Sequence, residues 1–122
     1  MTQTVERRRR EAMGRHAERA AALLLWLKGY RLLARRARTP AGEIDLVMRR
    51  GDTLVLVEVK YRPTLDSGLA ALHPAARQRL RGAAAHAAGR WGRRCTGWRI
   101  DLVLVQPWRW PVHMVAAIRE DV

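Results

Sequence analysis

Gly42-Glu43-Ile44-Asp45-Leu46-Val47-Met48-Arg49-Arg50-Gly51-Asp52-Thr53-Leu54-Val55-Leu56-Val57-Glu58-Val59-Lys60 is the stretch on which the reading of this chain turns. Two apolar runs flank a Gly-Asp pair, which predicts a β-hairpin with strands over Glu43–Arg49 and Thr53–Tyr61. Strands this apolar belong in a sheet interior, where a carboxylate costs free energy unless it is paired or bound to a cation. Glu43, Asp45, Glu58 and Lys60 nevertheless lie within or at the ends of them. Side chains alternate along a strand, so Glu43 shares a face with Asp45, and Glu58 with Lys60. With Gly51-Asp52 as a two-residue turn, Asp45 faces Glu58 and Glu43 faces Lys60. If the turn moves to Arg50-Gly51, Asp45 becomes a diagonal neighbour of Glu58. Both registers keep the four groups on one face.

Two acids about 5 Å apart at Cβ destabilise a plain hairpin. A hard divalent cation reverses that sign. Mg²⁺ or Mn²⁺ takes one or two carboxylates, several waters and a substrate phosphate oxygen. It acidifies a bound water and offsets charge on the phosphate under attack. A lysine beside it can hold or deprotonate that water. Of the 24 basic residues only Lys28 and Lys60 are lysine. Arginine cannot give up its proton at neutral pH and a desolvated lysine can, so the lysine at position 60 is itself informative. The competing reading is a salt-bridge ladder from Glu43 to Lys60, with Asp45 capped by an arginine.

Around the hairpin the pattern is α/β. A helix is predicted over about residues 12–28, where Ala17, Ala20, Ala21, Leu24, Leu25 and Trp26 recur at helical spacing and Gly29 stands at the C-cap. Glu18 borders that apolar stripe. By spacing alone it is a flank residue paired with Arg15 or Arg19. Tyr30–Ala37 reads as a strand, Arg62–Gly68 as a loop and about Pro74–Ala88 as a second helix. On that helix Arg77 and Arg81 stack one turn apart. Arg99–Val105 and Val112–Ile118 read as the last strands. A single domain over residues 12–122 follows a basic arm at 1–11, with a mixed sheet of about five strands flanked by helices. Trp108 and Trp110 could stack on bases, but anchoring of their loop into the core is the preferred reading.

The 122 residues suffice for one core, and 48% hydrophobic content is globular. A net charge of +13 points to a polyanionic partner, with nucleic acid the usual one. Arg62, Arg77 and Arg81 are the candidates for phosphate contact. Cys95 is the single cysteine, so no internal disulfide forms and a reducing, cytoplasmic setting is the default. The apolar run Ala20–Leu27 is too short to cross a bilayer, and no signal-peptide segment follows the basic start closely. His16, His73, His86 and His113 lack metal-ligand spacing.

Gly14-xxx-Glu18, Gly29-Tyr30, Gly42-Glu43-Ile44-Asp45-Leu46, Val57-Glu58-Val59-Lys60-x-Arg62 and Arg99-Ile100-Asp101 together resemble the YraN family of small bacterial proteins. That family is similar to archaeal Holliday-junction resolvases within the PD-(D/E)xK nucleases. The resemblance implies a restriction-endonuclease-like fold, metal binding by Asp45 and Glu58 and a catalytic role for Lys60. It also promotes Glu18 to a further metal ligand, with Glu43 standing behind the metal site. Ile44 replaces the proline of the superfamily pattern, and Arg77 stands where the family has a lysine. The expected function is Mg²⁺- or Mn²⁺-dependent cleavage of DNA, at branched or otherwise structured sites, by a possible homodimer. The alternative is a non-catalytic DNA- or RNA-binding protein with a vestigial site.

Overall fold

The computed structural model of the chain describes residues 2–119. The elements run α1 (Thr2–Leu27), β1 (Arg31–Thr39), β2 (Gly42–Arg50), β3 (Thr53–Tyr61), α2 (Leu65–Ala70), α3 (Pro74–Trp91), β4 (Gly97–Val105) and β5 (Val112–Arg119). The strands form one sheet in the order β1-β2-β3-β4-β5. Only β3 and β4 pair in parallel; the other three pairings are antiparallel. A parallel pair needs a crossover, and α2 and α3 supply it. The expected mixed sheet flanked by helices is therefore the one observed.

Helices cover both faces. On one side Ala21, Ala22 and Leu25 of α1, with Tyr30, pack on Leu46, Met48, Val55, Val57 and Val103. On the other, Leu80, Ala83, Ala84 and Ala87 of α3 pack on Ala37, Ile44, Val47, Leu54, Leu56, Ile100, Leu102 and Ile118. The alanines of α3 let that helix lie close to the strands. The end of α1 is set by Gly29 (φ +91°), with Tyr30 N–H donating to Leu25 O and Gly29 N–H to Trp26 O at 2.9 and 3.0 Å. This paired closure satisfies carbonyls that the helix end leaves open.

Strands β1 and β4 and helix α3 differ from the sequence reading by one to three residues at their ends, and two differences are larger. Helix α1 starts at Thr2 and takes in nearly the whole basic arm; Met1 lies outside the described residues. Arginine is a good helix former and nothing in the arm breaks the backbone, so the helix extends although Gln3 to Glu11 are exposed. The loop after β3 contains α2, whose first turn is capped by Thr64 Oγ1 accepting from Ser67 N–H at 3.1 Å.

A buried polar network joins the end of α1 to β4 and β5. Asp101, fully buried, accepts from Arg99 Nε and Ala116 N–H, both at 2.9 Å, and lies 2.8 Å from His113 Nε2. Arg99 also donates to the Tyr30 hydroxyl at 2.7 Å. Lys28 Nζ is 3.0 Å from His113 Nδ1. An ammonium has only protons to give, so Nδ1 accepts and Nε2 carries the proton that bonds Asp101. Among the described residues no helix is long and apolar enough to cross a membrane.

Candidate active site

The register of the hairpin brings the site together. β2 and β3 pair Arg50↔Thr53, Arg49↔Leu54, Met48↔Val55, Val47↔Leu56 and Leu46↔Val57, the pattern expected of a Gly51-Asp52 turn. The ladder stops there, one residue short of Asp45 and Glu58. Beyond it the Val59 N–H is taken by Asp45 Oδ2 at 2.8 Å. Strand separation thus leaves a side-chain carboxylate, and not a backbone carbonyl, on the Val59 amide.

Asp45 and Glu58 meet as a hydrogen-bonded carboxyl pair. Burial pushes the Asp45 carboxyl up to about 8, and the Glu58 charge and the hydrogen bond that a neutral Asp45 donates to it add to the rise against the opposing Val59 amide. The rise favours the neutral form of Asp45. Glu58 is only 4% exposed. Its Oε2 lies 3.3 Å from Lys60 Nζ and 3.8 Å from an Arg79 guanidinium nitrogen. Asp45 itself makes no ion pair within 4 Å among the described residues. Lys60 stands two residues beyond Glu58 on β3 and so points to the same side, toward α3. There Lys60, Arg62, His73, Ala76 and Arg79 line an open groove.

The arrangement fits a hard cation with few protein ligands. Among the described residues no group of three or more acids, histidines or cysteines gathers closely enough to hold a metal ion. The donors in reach are the two carboxylates, which suits Mg²⁺ or Mn²⁺ completed by water and phosphate oxygens. A positive ion in place of the Asp45 proton would relieve the repulsion that raises that carboxyl.

Other expected members are placed differently. Glu18 of α1 is half-buried and near enough to add to the charge on Asp45, but its Oε1 is held by Arg36 Nε at 3.0 Å. It is neither paired with Arg15 or Arg19 as spacing suggested, nor gathered with the two acids. Glu43 does not face Lys60. Its exposed side chain lines a groove against α1 with Glu11, Arg15, Glu18, Arg36 and Arg38. The cause is a slip in alternation along β2. Ile44 and Val47 both pack under α3, whereas Leu46 and Met48 pack under α1. The pairs Arg35↔Leu46 and Ala37↔Ile44 bracket Arg36, whose φ is +47°. That kink turns the strand end, and Glu43 leaves the face of Asp45.

Arg62 lines the Lys60 groove, while Arg77 and Arg81 do not. Arg77 Nε is spent on Leu72 O at 2.7 Å, and Arg81 is half-buried with no partner for its Nε. Arg79, on the opposite flank of α3 from these two, is the arginine that reaches the site. It crosses Gly42 (φ +142°), where a Cβ would lie 3.0 Å from its guanidinium, and a nitrogen of that group is 3.5 Å from Glu43 O. Sequence reasoning missed Arg79 and Arg36. Helical spacing marks Arg79 as a flank residue without saying which flank meets the strand ends, and no local pattern singles out Arg36. Trp108 and Trp110 are not anchored in the core: they are 102% and 87% exposed.

Residues 17–105 match the family described as Uncharacterised protein family UPF0102. A UPF0102 protein of Parvibaculum lavamentivorans is 52% identical over 108 residues, covering 88% of this chain and 81% of that one. One from Methylocella silvestris is 48% identical, covering 88% of each chain. One from Maricaulis maris is 51% identical over 115 residues, covering 93% of this chain and 91% of that one. Among solved structures, an EndoMS-dsDNA2 complex superposes with a TM-score of 0.44 at 20% identity, over 73% of this chain and 37% of the other. The matched segment carries Glu18, the whole hairpin with Asp45, Glu58 and Lys60, both helices of the crossover and β4, and the chain belongs to the UPF0102 family.

Proposed function

We propose that this protein is a Mg²⁺- or Mn²⁺-dependent nuclease that cleaves phosphodiester bonds of DNA, at branched or otherwise structured sites. The observation that carries the reading is the meeting of two carboxyls, the buried Glu58 and the half-buried Asp45, beside Lys60 at the mouth of a basic groove. Nothing in the packing of the sheet requires such a pair, and repulsion between the two groups works against it. A bound ion supplies a more acidic water and a positive charge at the phosphate. Asp45 and Glu58 would hold it, with the Val59 amide fixing the Asp45 carboxylate. Lys60 Nζ, steered by Glu58, orients the attacking water and takes or shields its proton. Arg62 and Arg79 bind the flanking phosphates. Glu18 joins as a ligand only when Arg36 lets it go.

A second reading has its own support. Glu18 is neutralised by Arg36 and Glu58 touches Arg79, as expected of a binding protein with a vestigial site. A cleavage assay over duplex, single-stranded, flap and four-way-junction DNA with Mg²⁺ or Mn²⁺ separates the two. Cleavage abolished by Asp45→Asn supports the nuclease. Tight binding with no cleavage by the wild type establishes the binding protein.

A further inference from the structure

We infer that Trp108 and Trp110 form a stacking platform for unpaired nucleobases, and that this platform directs the site to nucleic acid that is single-stranded or locally unpaired. The inference rests on the nucleic-acid reading given above.

Both indoles stand free in water, at 102% and 87% exposure. Tryptophan is a large apolar side chain, and leaving two of them uncovered forgoes their burial energy. The backbone deepens the anomaly. Arg109 N–H closes on Gln106 O at 3.4 Å, with Pro107 second in the turn and Trp108 third at φ +60°. A turn with proline second and a positive φ third has the form of a type II turn, which favours glycine or asparagine at that third place. A bulky aromatic there is a strained outlier. Neither core packing nor turn chemistry asks for an indole at 108.

The loop is fixed at the catalytic end of the sheet. Lys60 pairs with Leu104 and Tyr61 with Val105, immediately before the loop starts. Leu104 also pairs with Val112, where the loop ends. Arg62 N–H donates to Val105 O at 3.1 Å, and Gln106 Nε2 to Pro63 O at 3.3 Å. Trp108 is four positions along the chain from Leu104, and Trp110 is two from Val112, which pairs with Leu104, so both indoles lie within roughly 15–20 Å of Lys60. That is a handful of nucleotides along a strand.

Charge selects the partner. Arg109 sits between the two indoles, Arg62 lies beside the loop, and the chain carries +13, so a polyanion with flat faces is the matching occupant. Bases offer those faces only where they are unstacked; in a regular duplex they are covered.

The test measures binding in EDTA at low salt, by fluorescence anisotropy, to oligothymidylate and to an abasic deoxyribose-phosphate chain of equal length. Phosphate charge is the same in both, and only the first can stack. The wild type should bind oligothymidylate about tenfold or more tightly than the abasic chain. Trp108→Gly combined with Trp110→Ala should erase that preference and leave abasic affinity unchanged. Trp108→Phe should keep most of it. The melting temperature of Trp108→Gly should not fall, because glycine relaxes the turn. Wild-type binding of both chains with equal affinity overturns the platform and leaves the nucleic-acid reading standing. Binding of neither chain removes the nucleic-acid reading and the platform with it. If the variants keep the thymidylate preference but lose a dimer in sedimentation, or lose binding to anionic vesicles, the platform is overturned and the loop covers a second copy or a lipid surface.

Discussion

At position 45 the fold holds a carboxyl in its neutral form, because burial and Glu58 both oppose its charge. The stability consequence has a definite sign. A folded-state value raised from 3.8 to about 8 means that the contribution of Asp45 to the metal-free protein is fully present below pH 3.8 and lost as pH rises toward 8. Asp45→Asn removes that loss. Its amide can still accept from Val59 N–H and donate to Glu58. In EDTA at pH 8 the variant should melt higher than wild type, by roughly 5 °C or more, and a lower melting point would refute the account. Added Mg²⁺ or Mn²⁺ should stabilise the wild type and leave the variant unmoved. Lys60 tests chemistry where Asp45 tests charge. Lys60→Arg keeps the cation but substitutes a larger fork that stays protonated. Its fold should survive while single-turnover cleavage drops on the order of a hundredfold or more. Cleavage at the wild-type rate would reduce Lys60 to a counter-charge for Glu58.

Within the sheet, ionisable side chains interrupt otherwise apolar strands at two places, Asp45 with Glu58 and Arg99 with Asp101. Glu58 and Lys60 lie in the second half of β3, whereas Arg99 in the first half of β4 and Asp101 at its midpoint build the network with Tyr30 and His113. Burial by itself pushes Asp101 up, but hydrogen bonds from His113, Arg99 and the Ala116 amide outweigh it and hold the carboxyl below its ordinary range. The sign is opposite to that at Asp45. Stability from Asp101 is present above pH 3.8 and disappears as pH falls through its lowered value. Asp101→Asn keeps the volume but leaves Arg99 without its counter-charge. We expect a loss on the order of 3 kcal/mol in urea unfolding at neutral pH, shrinking in strong acid as the wild type itself becomes protonated. A loss that stays constant down to pH 2 would mean that packing, and not charge, is at stake. The same network gives Gly29-Tyr30 and Arg99-Ile100-Asp101 a structural role. They close α1 onto the sheet.

For the whole molecule, the charge of +13 and the carboxylate pair are separate properties. Affinity for DNA should fall with salt by about 0.9 log units per log unit for each phosphate neutralised. The structure redirects the test of which arginines count. Arg79→Ala should flatten that slope by about one, because Arg79 lines the groove beside Lys60 and Arg62. Arg77→Ala with Arg81→Ala should change it little. The reverse result in salt titrations of the three variants would place the polyanion across the other flank of α3.

Much of the hairpin was determined by local sequence. A two-residue turn and a side-chain period of two allow two registers, and both bring Asp45 near Glu58 with Lys60 on the side of Glu58; the structure takes the one with Gly51-Asp52 as the turn. The net charge and the helix that ends at Gly29 were equally plain, because each depends on residues close together in the chain. Only the tertiary structure decided the rest. The slip of alternation opposite Arg36 sends Glu43 to the α1 groove, and it arises from how β1 and β2 bend together. The partner of Glu18 is Arg36, which reaches it only because β1 folds back against α1 and is kinked at that residue. The choice of Arg79 over Arg77 and Arg81 depends on the angle at which α3 lies on the sheet, which the helical period does not contain. The exposure of Trp108 and Trp110 runs against their hydrophobicity, because a short loop fixed by Val105 and Val112 at the sheet end has no core within its reach.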